Sequence, residues 1–197
     1  MQFTPIHLSG IYASLEPLNQ AHLPEIQAAA ADGELWKLFF TSIPTYETTQ
    51  QWLDTALEMQ RQQTAIPFAI REKASGKIVG ATRYFRIEPH NRRLEIGHTW
   101  YSQSVQRTGI NTECKLLLLS HAFEVLGCIA VEFRTDYFNN KSQAAIERLG
   151  AKRDGILRNH MVMPDGRIRD TVVYSILQNE WPGVKKNLQY MQSKYAK

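Results

Sequence analysis

The chain has 197 residues, of which 43% are apolar, and this is enough for one domain with a full hydrophobic core. Its net charge of +4 is mild, and its basic residues form only short pairs, so we do not expect a nucleic acid as a partner. No apolar run reaches the roughly 18 residues that a membrane span requires, so no membrane association is expected.

The amino-terminal sequence and the two cysteines bear on the cellular compartment. The opening MQFTPIHLSG lacks the basic and apolar regions of a secretory signal. Cys114 and Cys128 have neither a C-x-x-C spacing nor a histidine cluster near them, so we expect no disulfide framework and no metal site. These features favour a cytoplasmic protein.

In chain order, the first half of the sequence predicts one strand, two helices and a β-hairpin. Residues 6–18 read as a strand with a polar turn inside it. A helix is expected to start at the N-cap Asn19 and to end near residue 31, and apolar residues at helical spacing predict a second helix over 45–62. The strands 67–72 and 77–86 flank a Gly-containing turn, which is typical of a hairpin.

The second half of the chain alternates predicted strands with predicted helices. The last two strands are joined by the turn sequence PDG. The polar tail after Trp181 is expected to be a helix or frayed, and to be peripheral from about residue 182. The order of elements predicts a single mixed α/β domain over residues 1–197. The expected strands of this half are 94–101, 129–137, 154–163 and 167–177, and the expected helices are 111–126 and 139–149.

The glycine-bearing loop between strand 94–101 and helix 111–126 is the most informative stretch. Unpaired backbone N–H groups and the dipole at a helix start favour an anion, typically a phosphate. Gly109 is expected to let the backbone approach that anion closely or to take a positive φ, and Asn111 or Thr112 is expected to cap the helix. The expected anion-binding residues are Gln106, Arg107, Thr108, Gly109, Ile110, Asn111 and Thr112.

This loop also carries a resemblance to a known family. Gln106-x-x-Gly109-x-Asn111 resembles the Q/R-x-x-G-x-G/A pyrophosphate loop of the GNAT acyl-CoA N-acetyltransferases, with Asn111 in place of the final glycine or alanine. The longer run GHTWYSQSVQRTGINTE resembles the Rim-type branch, which is similar to the ribosomal-protein N-terminal acetyltransferases.

The resemblance implies a fold and a co-substrate. The GNAT fold has a central mixed, mostly antiparallel sheet of about seven strands flanked by about four helices. The co-substrate would be acetyl-CoA, with no metal, and the pantetheine arm of coenzyme A would lie between two central strands that splay apart.

Acetyl transfer from a thioester to an amine needs a base, a donor to the carbonyl oxygen and a proton for the thiolate. Glu95 is the expected base, because its spacing from the loop resembles that of the base glutamate in the histone-type enzymes of the superfamily. The alternative is an ion pair between Glu95 and Arg83 or Arg93. His98 is expected to bind the acceptor or to be structural. It faces away from Glu95 if the strand is regular, and a β-bulge would change that.

Other residues take roles that the resemblance implies. Backbone N–H groups around Trp100 and Tyr101 are expected to bind the thioester carbonyl. Asn139 is expected to bind the pantetheine amides, with a plain helix cap as the alternative, and Ser142 is expected near the sulfur or the phosphates. The tyrosine that many family members place in the following helix is absent, so Ser142 and Tyr137 are the expected proton donors.

The acceptor amine is left open by the sequence. The apolar stretch 34–40 is interpreted as core or as a wall of the acceptor pocket, with Trp36 and Phe39 as expected contacts beside His98. The amine belongs to a protein N-terminus, as in the Rim-type enzymes, or to a small molecule such as an amino acid, a polyamine or an antibiotic. A non-catalytic acyl-CoA-binding regulatory protein is the alternative from another class. We expect a monomer or a homodimer.

Overall fold

The computed structural model describes residues 4–195, which are organised around one β-sheet. Within this part of the chain the sheet has eight strands in the order β1-β2-β3-β4-β5-β6-β8-β7, and β5–β6 is its one parallel pair. The strands are β1 (Leu8–Ser9), β2 (Ala13–Pro17), β3 (Ala65–Glu72), β4 (Ile78–Glu88), β5 (Arg93–Tyr101), β6 (Ala130–Asp136), β7 (Lys152–Val162) and β8 (Ile168–Leu177). The α-helices are α1 (Leu23–Ala31), α2 (Thr49–Arg61), α3 (Ile110–Ser120), α4 (Asn140–Leu149) and α5 (Trp181–Ser193).

The mixed α/β fold with a mostly antiparallel sheet, expected from the GNAT resemblance, is confirmed. Over residues 4–195 the structure has one strand and one helix more than expected. The extra strand arises because residues 6–18 form β1 and β2, with a tight turn between them in which the Gly10 N–H donates to the carbonyl of Ala13. The additional helix is α5, since the residues after 181, for which a helix or a frayed end was expected, form a helix.

The residues after 181 correct the expectation of a peripheral tail, because α5 packs into the core. Trp181, Val184 and Leu188 are buried, and their spacing places them on one face of the helix. The indole of Trp181 stacks on Phe123 at a centroid distance of 5.3 Å. The apolar spacing of 181, 184 and 188 among polar residues is the sequence signal for this helix.

Helices cover both faces of the sheet. On one face, α3, α4 and α5 close the larger core, which includes Leu118, Leu149 and Leu188. On the other face, α1 and α2 close a smaller core around Ile26 and Leu53. The burial of these apolar side chains supplies the main favourable free energy of folding.

The two central strands β5 and β6 are paired only at their beginnings. Their parallel register covers three residue pairs, from Arg93 with Ala130 to Glu95 with Glu132. Both strands continue well beyond these pairs with no further pairing between them in the described structure. A gap therefore opens between the strands immediately after Glu95, and this gap corresponds to the splay that the resemblance implies.

A β-bulge in β5 changes which side chains share a face. The register of β4 with β5 shifts by one residue between the pairs Ala81–Trp100 and Arg83–Gly97. His98 takes a φ of 48° inside this irregularity. As a result, a single residue of β4 lies opposite two residues of β5.

The consequence is visible in the two cores. Leu94 and Ile96 face the larger core, and a regular strand would send Trp100 there as well. Instead Trp100 packs in the smaller core, whereas Tyr101 packs against the larger one. The bulge therefore brings Glu95 and Trp100 to the same face of the sheet.

Glu113, in the first turn of α3, holds the β1–β2 turn in place. Its carboxylate is buried and accepts hydrogen bonds from the backbone N–H groups of Ile11, Tyr12 and Ala13 at 2.6–2.7 Å. A fourth hydrogen bond, of 2.7 Å, comes from Nε2 of Gln192 in α5. One side chain thus joins the amino-terminal edge of the sheet to two helices.

The substitution Glu113→Ala is expected to lower the free energy of unfolding by roughly 3 kcal/mol or more, because it leaves buried backbone donors without an acceptor. Urea unfolding monitored by circular dichroism measures the change. The control is Glu47→Ala at an exposed carboxylate, with an expected change within about 0.5 kcal/mol. Equal effects of the two substitutions would contradict the role of Glu113.

Candidate active site

A cavity of about 530 Å³ lies where β5 and β6 separate. Its walls come from β5 and β6, from the starts of α3 and α4, and from the segment between α1 and α2. Among the site residues predicted from sequence, those that line the cavity are Glu95, His98, Trp100, Tyr101, Gln106, Asn111, Asn139 and Ser142. The splay and the bulge bring these residues together from three separate parts of the chain.

The other predicted site residues lie outside the cavity lining, which includes Leu35, Leu38 and Phe40 where Trp36 and Phe39 were expected. Phe39 packs instead beside Phe138 and beneath the guanidinium of Arg167. The predicted residues that the lining does not include are Trp36, Phe39, Arg107, Thr108, Gly109, Ile110, Thr112 and Tyr137. Tyr137 is 44% exposed.

The loop before α3 differs in detail from the expectation. Gly109 is the N-cap residue of α3 with an ordinary φ of −69°, so its expected positive φ was wrong, and Arg107 has a φ of 62° instead. The expected cap by Asn111 or Thr112 was also wrong, since both lie inside the helix. A Cβ added to Gly109 would meet the ring of Tyr195 at 3.2 Å, so a side chain at this position would crowd that ring.

Glu95 lies at the point where the gap opens. Its side chain is 4% exposed, and Oε2 is 3.4 Å from Nε of Arg86 and from Nε of Arg134. Burial raises the pKa of Glu95 to about 7, with Arg134 and Arg86 opposing that rise and Glu132 adding to it. A carboxylate with a pKa near 7 is suited to accept a proton at neutral pH.

Two histidines lie in the same cavity. His98 is exposed to the cavity and stands edge-on to Phe85 at a centroid distance of 4.9 Å. Nδ1 of His160, on β7, is 3.0 Å from the hydroxyl of Thr171. The pKa of each histidine is lowered, first by desolvation and then by nearby arginines, so both rings are neutral at neutral pH.

Close packing surrounds Glu95. A Cβ added to Gly97 would lie 2.5 Å from the ring of Phe85 and 3.4 Å from Oε1 of Glu95, so this position requires a glycine. The carboxylate, the Phe85 ring and the imidazole of His98 therefore form one wall of the cavity.

Asn139 and Ser142 lie on the α4 side of the cavity. Oδ1 of Asn139 accepts a hydrogen bond of 3.0 Å from the backbone N–H of Ser142 and so caps α4. Both residues also line the cavity. The two alternatives for Asn139, a helix cap and a cavity residue, are thus compatible in one geometry, with Oδ1 used in the cap and the Nδ2 donor left for a ligand.

Lys115 is a cavity residue that was missed in the sequence analysis. It is 6% exposed, and its Nζ donates to Oγ1 of Thr99 at 2.9 Å. Burial lowers the pKa of Lys115 to about 8. The available signal was a single charged residue inside the apolar run of α3, at a helical position that faces the sheet.

The chain is similar to known proteins in sequence and in fold. The model of the family described as "Acetyltransferase (GNAT) domain" matches residues 14–152. The Bacillus subtilis protein named "Putative ribosomal N-acetyltransferase YdaF" is 31% identical over 175 residues, which cover 87% of this chain and 92% of that protein.

Solved structures of known proteins have the same fold as this chain. A GCN5-related N-acetyltransferase from Brucella melitensis has a TM-score of 0.85 and 35% identity, and the match covers 95% of this chain and 85% of that one. Mycobacterium smegmatis RimJ, solved in complex with CoA-disulfide, has a TM-score of 0.79 at 19% identity, with 95% of each chain covered, and shows the likeness of fold. The chain belongs to the GNAT acetyltransferase family, and the enzyme class is that of an acyltransferase.

None of the helices in residues 4–195 is both long and apolar enough to cross a membrane. The same residues contain no group of three or more His, Cys, Asp or Glu side chains that could hold a metal ion.

The substitution Glu95→Gln is expected to raise the free energy of unfolding, and the gain should grow between about pH 4.5 and pH 7 to at most about 3 kcal/mol. Because its pKa is raised in the folded protein, Glu95 keeps its proton through this window, whereas the unfolded chain releases it. The stability of the parent protein therefore falls as the pH rises, and the glutamine variant lacks that loss.

Urea unfolding at pH 5 and pH 8 measures the effect. The matched control is Glu88→Gln, since Glu88 is exposed at the end of β4. A stability difference between Glu95→Gln and the parent protein that is the same at both pH values would show that the pKa of Glu95 is not raised.

Proposed function

We propose that this protein transfers an acetyl group from acetyl-CoA to a primary amine, by direct attack of the amine in a ternary complex. The observation that carries the proposal is the buried Glu95 at the opening between β5 and β6, inside the cavity that the loop before α3 also borders. An amine protonated at neutral pH cannot attack a thioester until a base removes its proton.

Coenzyme A would bind on the α3 and α4 side of the cavity. The first turn of α3 presents backbone N–H groups to an anion, as helix starts do. Gln106 and Asn111 lie at this end, and Asn139 and Ser142 lie where the pantetheine arm would pass. A GNAT protein of the same fold, RimJ from Mycobacterium smegmatis, was solved with CoA-disulfide, which is consistent with this assignment.

In the reaction, Glu95 would take the proton of the amine as its nitrogen attacks the thioester carbonyl. The carbon–sulfur bond then breaks, and the thiolate of coenzyme A leaves and needs a proton. Ser142 lies in the cavity wall and remains the proposed donor, whereas Tyr137 lies outside that wall. Backbone N–H groups near Trp100 and Tyr101 would bind the carbonyl oxygen.

A covalent route through a cysteine is disfavoured. Cys114 is fully buried in the larger core, and burial raises the pKa of its thiol to about 12. A buried thiol without thiolate character is a poor nucleophile. Direct transfer to the amine is therefore the proposed mechanism.

Glu95→Gln is expected to lower kcat by roughly 10²- to 10⁴-fold at pH 7, because the glutamine keeps the size of the side chain and removes the base. Acetyl-CoA affinity should be unchanged, and the loss should shrink as the pH rises and neutral amine becomes abundant. Thiol release with a panel of amines measures turnover, and calorimetry measures affinity. Near-normal turnover by Glu95→Gln at pH 7 would remove Glu95 from the mechanism.

The parent protein could bind acetyl-CoA and yet release no thiol with any amine of the panel. That result would support the alternative of a non-catalytic acyl-CoA-binding protein. Glu88→Gln serves as the matched control for turnover, since its carboxylate is exposed and lies outside the cavity lining. Its kcat is expected to equal that of the parent protein.

Asn139→Asp is expected to weaken coenzyme A binding by about tenfold, close to the loss of one hydrogen bond. The carboxylate keeps the acceptor that caps α4, and it removes the Nδ2 donor and adds a negative charge inside the cavity. Calorimetry gives the affinity and thermal unfolding gives the stability. Unchanged affinity with a folded variant would leave Asn139 with the cap alone.

A further inference from the structure

Three arginines surround the end of the cavity that holds Glu95. Arg86, Arg134 and Arg169 come from β4, β6 and β8, and all three side chains line the cavity. Arg86 and Arg134 are each 3.4 Å from Oε2 of Glu95, whereas the proposed coenzyme A residues Asn139 and Ser142 lie at the start of α4. In the proposed reaction, the end that holds Glu95 is where the acceptor would enter.

Besides Glu95, the acidic side chains near these arginines are Glu132 and Asp136. Arg134 pairs with Glu132, with 2.9 Å between NH2 and Oε2. Oδ2 of Asp136 is 2.7 Å from NH2 of Arg167 and 3.8 Å from Nε of Arg169. This Nε is buried and has no hydrogen-bond partner among residues 4–195.

A fourth arginine adds positive charge behind the cavity wall. Arg83 is 2% exposed, and its guanidinium lies 4.9 Å from the ring of Trp52. Its NH1 contacts the sulfur of Met59 at 3.3 Å, and no carboxylate of the described chain lies within ion-pair distance. A buried guanidinium without an acidic partner is costly and produces a strong positive potential nearby.

The positive charge also acts on the two histidines. Desolvation is the main cause that lowers the pKa of both rings, and the arginines that lower it further are Arg83, Arg86 and Arg169 for His98, and Arg134, Arg86 and Arg169 for His160. Of the carboxylates at this end, Glu132 is paired with Arg134, Asp136 is paired with Arg167 and Arg169, and burial raises the pKa of Glu95 to about 7. The acceptor end therefore has an excess of fixed positive charge.

An anionic group on the ligand would compensate this charge. Guanidinium groups bind carboxylates and phosphates through short, charge-assisted hydrogen bonds, which are stronger than neutral ones. Arg86 reaches only Glu95 among acidic partners in the described chain, and Arg169 has only its long contact with Asp136. These two side chains have the most hydrogen-bonding capacity left for a ligand.

Resting on the acetyl transfer proposed above, we infer that the acceptor is a small primary amine that carries a carboxylate or a phosphate. Arg169 and Arg86 bind the anionic group, and the amine faces Glu95. The cavity of about 530 Å³ would hold both the pantetheine arm and the acceptor, so the part left for the acceptor has the size of a small molecule. A polypeptide N-terminus without an acidic side chain would leave the arginines uncompensated.

Matched amine pairs test the inference. Acetyl-CoA turnover is measured with β-alanine against propylamine, with L-phenylalanine against phenethylamine, with phosphoethanolamine against ethanolamine, and with a tripeptide amide that has no acidic residue. The anionic member of at least one pair is expected to have a kcat/KM at least tenfold higher than its neutral partner, mainly through KM. The first two pairs test a carboxylate and the third tests a phosphate.

In Arg169→Gln, the ratio of kcat/KM for the anionic amine to kcat/KM for its neutral partner is expected to fall close to one, in the pair for which the parent protein prefers the anionic member. The matched control is Arg158→Gln on the same hairpin, because Arg158 is 78% exposed, pairs with Asp170 and lies outside the cavity lining. It should keep the ratio. Arg169 also lowers the pKa of Glu95, so its removal raises that pKa, and the assays are run at about pH 9, where Glu95 is ionised in both proteins.

The affinity of the protein for each amine distinguishes a failure of this inference from a failure of the proposed acetyl transfer. With the protein saturated with coenzyme A, calorimetry measures the affinity of each pair member directly. Tighter binding of the anionic members without turnover would support the anion site and contradict the proposed reaction. Turnover or binding that favours the neutral members, or a ratio unchanged in Arg169→Gln, would overturn the inference.

Discussion

The one-residue bulge at His98 is the constraint on which the site depends. Without it, side chains of β5 would alternate regularly, and Trp100 would face the larger core together with Leu94 and Ile96. The bulge reverses that alternation, so that Trp100 closes the smaller core on the face that also carries Glu95. The cavity wall that holds the carboxylate and the packing of α1 and α2 against the sheet thus follow from one irregular residue pair.

The order of elements was predictable from the sequence because most of it is local. Apolar spacing, glycines and turn residues marked the hairpin of β3 and β4, the hairpin of β7 and β8, and the helices. The anchor by Glu113 was not predictable, because its partners at residues 11–13 are about a hundred positions away. The overall polarity of the residues after 181 predicts a peripheral segment, whereas the three apolar positions of α5 bury one face of this helix. Composition is thus a weaker guide than spacing for a short amphipathic helix.

Cavity residues near the two helix starts were easier to predict than those on the strands. Gln106, Asn111, Asn139 and Ser142, which are proposed to bind coenzyme A, lie around the starts of α3 and α4 and line the cavity. The arginines proposed to bind the acceptor come from strands far apart in the chain, and which of them faces the cavity depends on strand register and on bulges. For the segment 34–40 the sequence left core packing and a pocket wall open, and the geometry places Leu35, Leu38 and Phe40 in the cavity rather than Trp36 and Phe39.

The arginines at the acceptor end also set the pKa of Glu95. Burial alone would hold the carboxylate protonated, and the guanidinium groups of Arg86 and Arg134 bring its pKa back to about 7. The same positive charge lowers the pKa of both histidines, so neither ring carries a charge that would repel a protonated amine. An anion bound by Arg169 would neutralise part of that charge and raise the pKa of Glu95 further, so the carboxylate becomes more basic while its ionised fraction at neutral pH becomes smaller. Binding of the acceptor and the protonation of Glu95 would then be linked through the same side chains, and an amine without an anionic group would have neither effect.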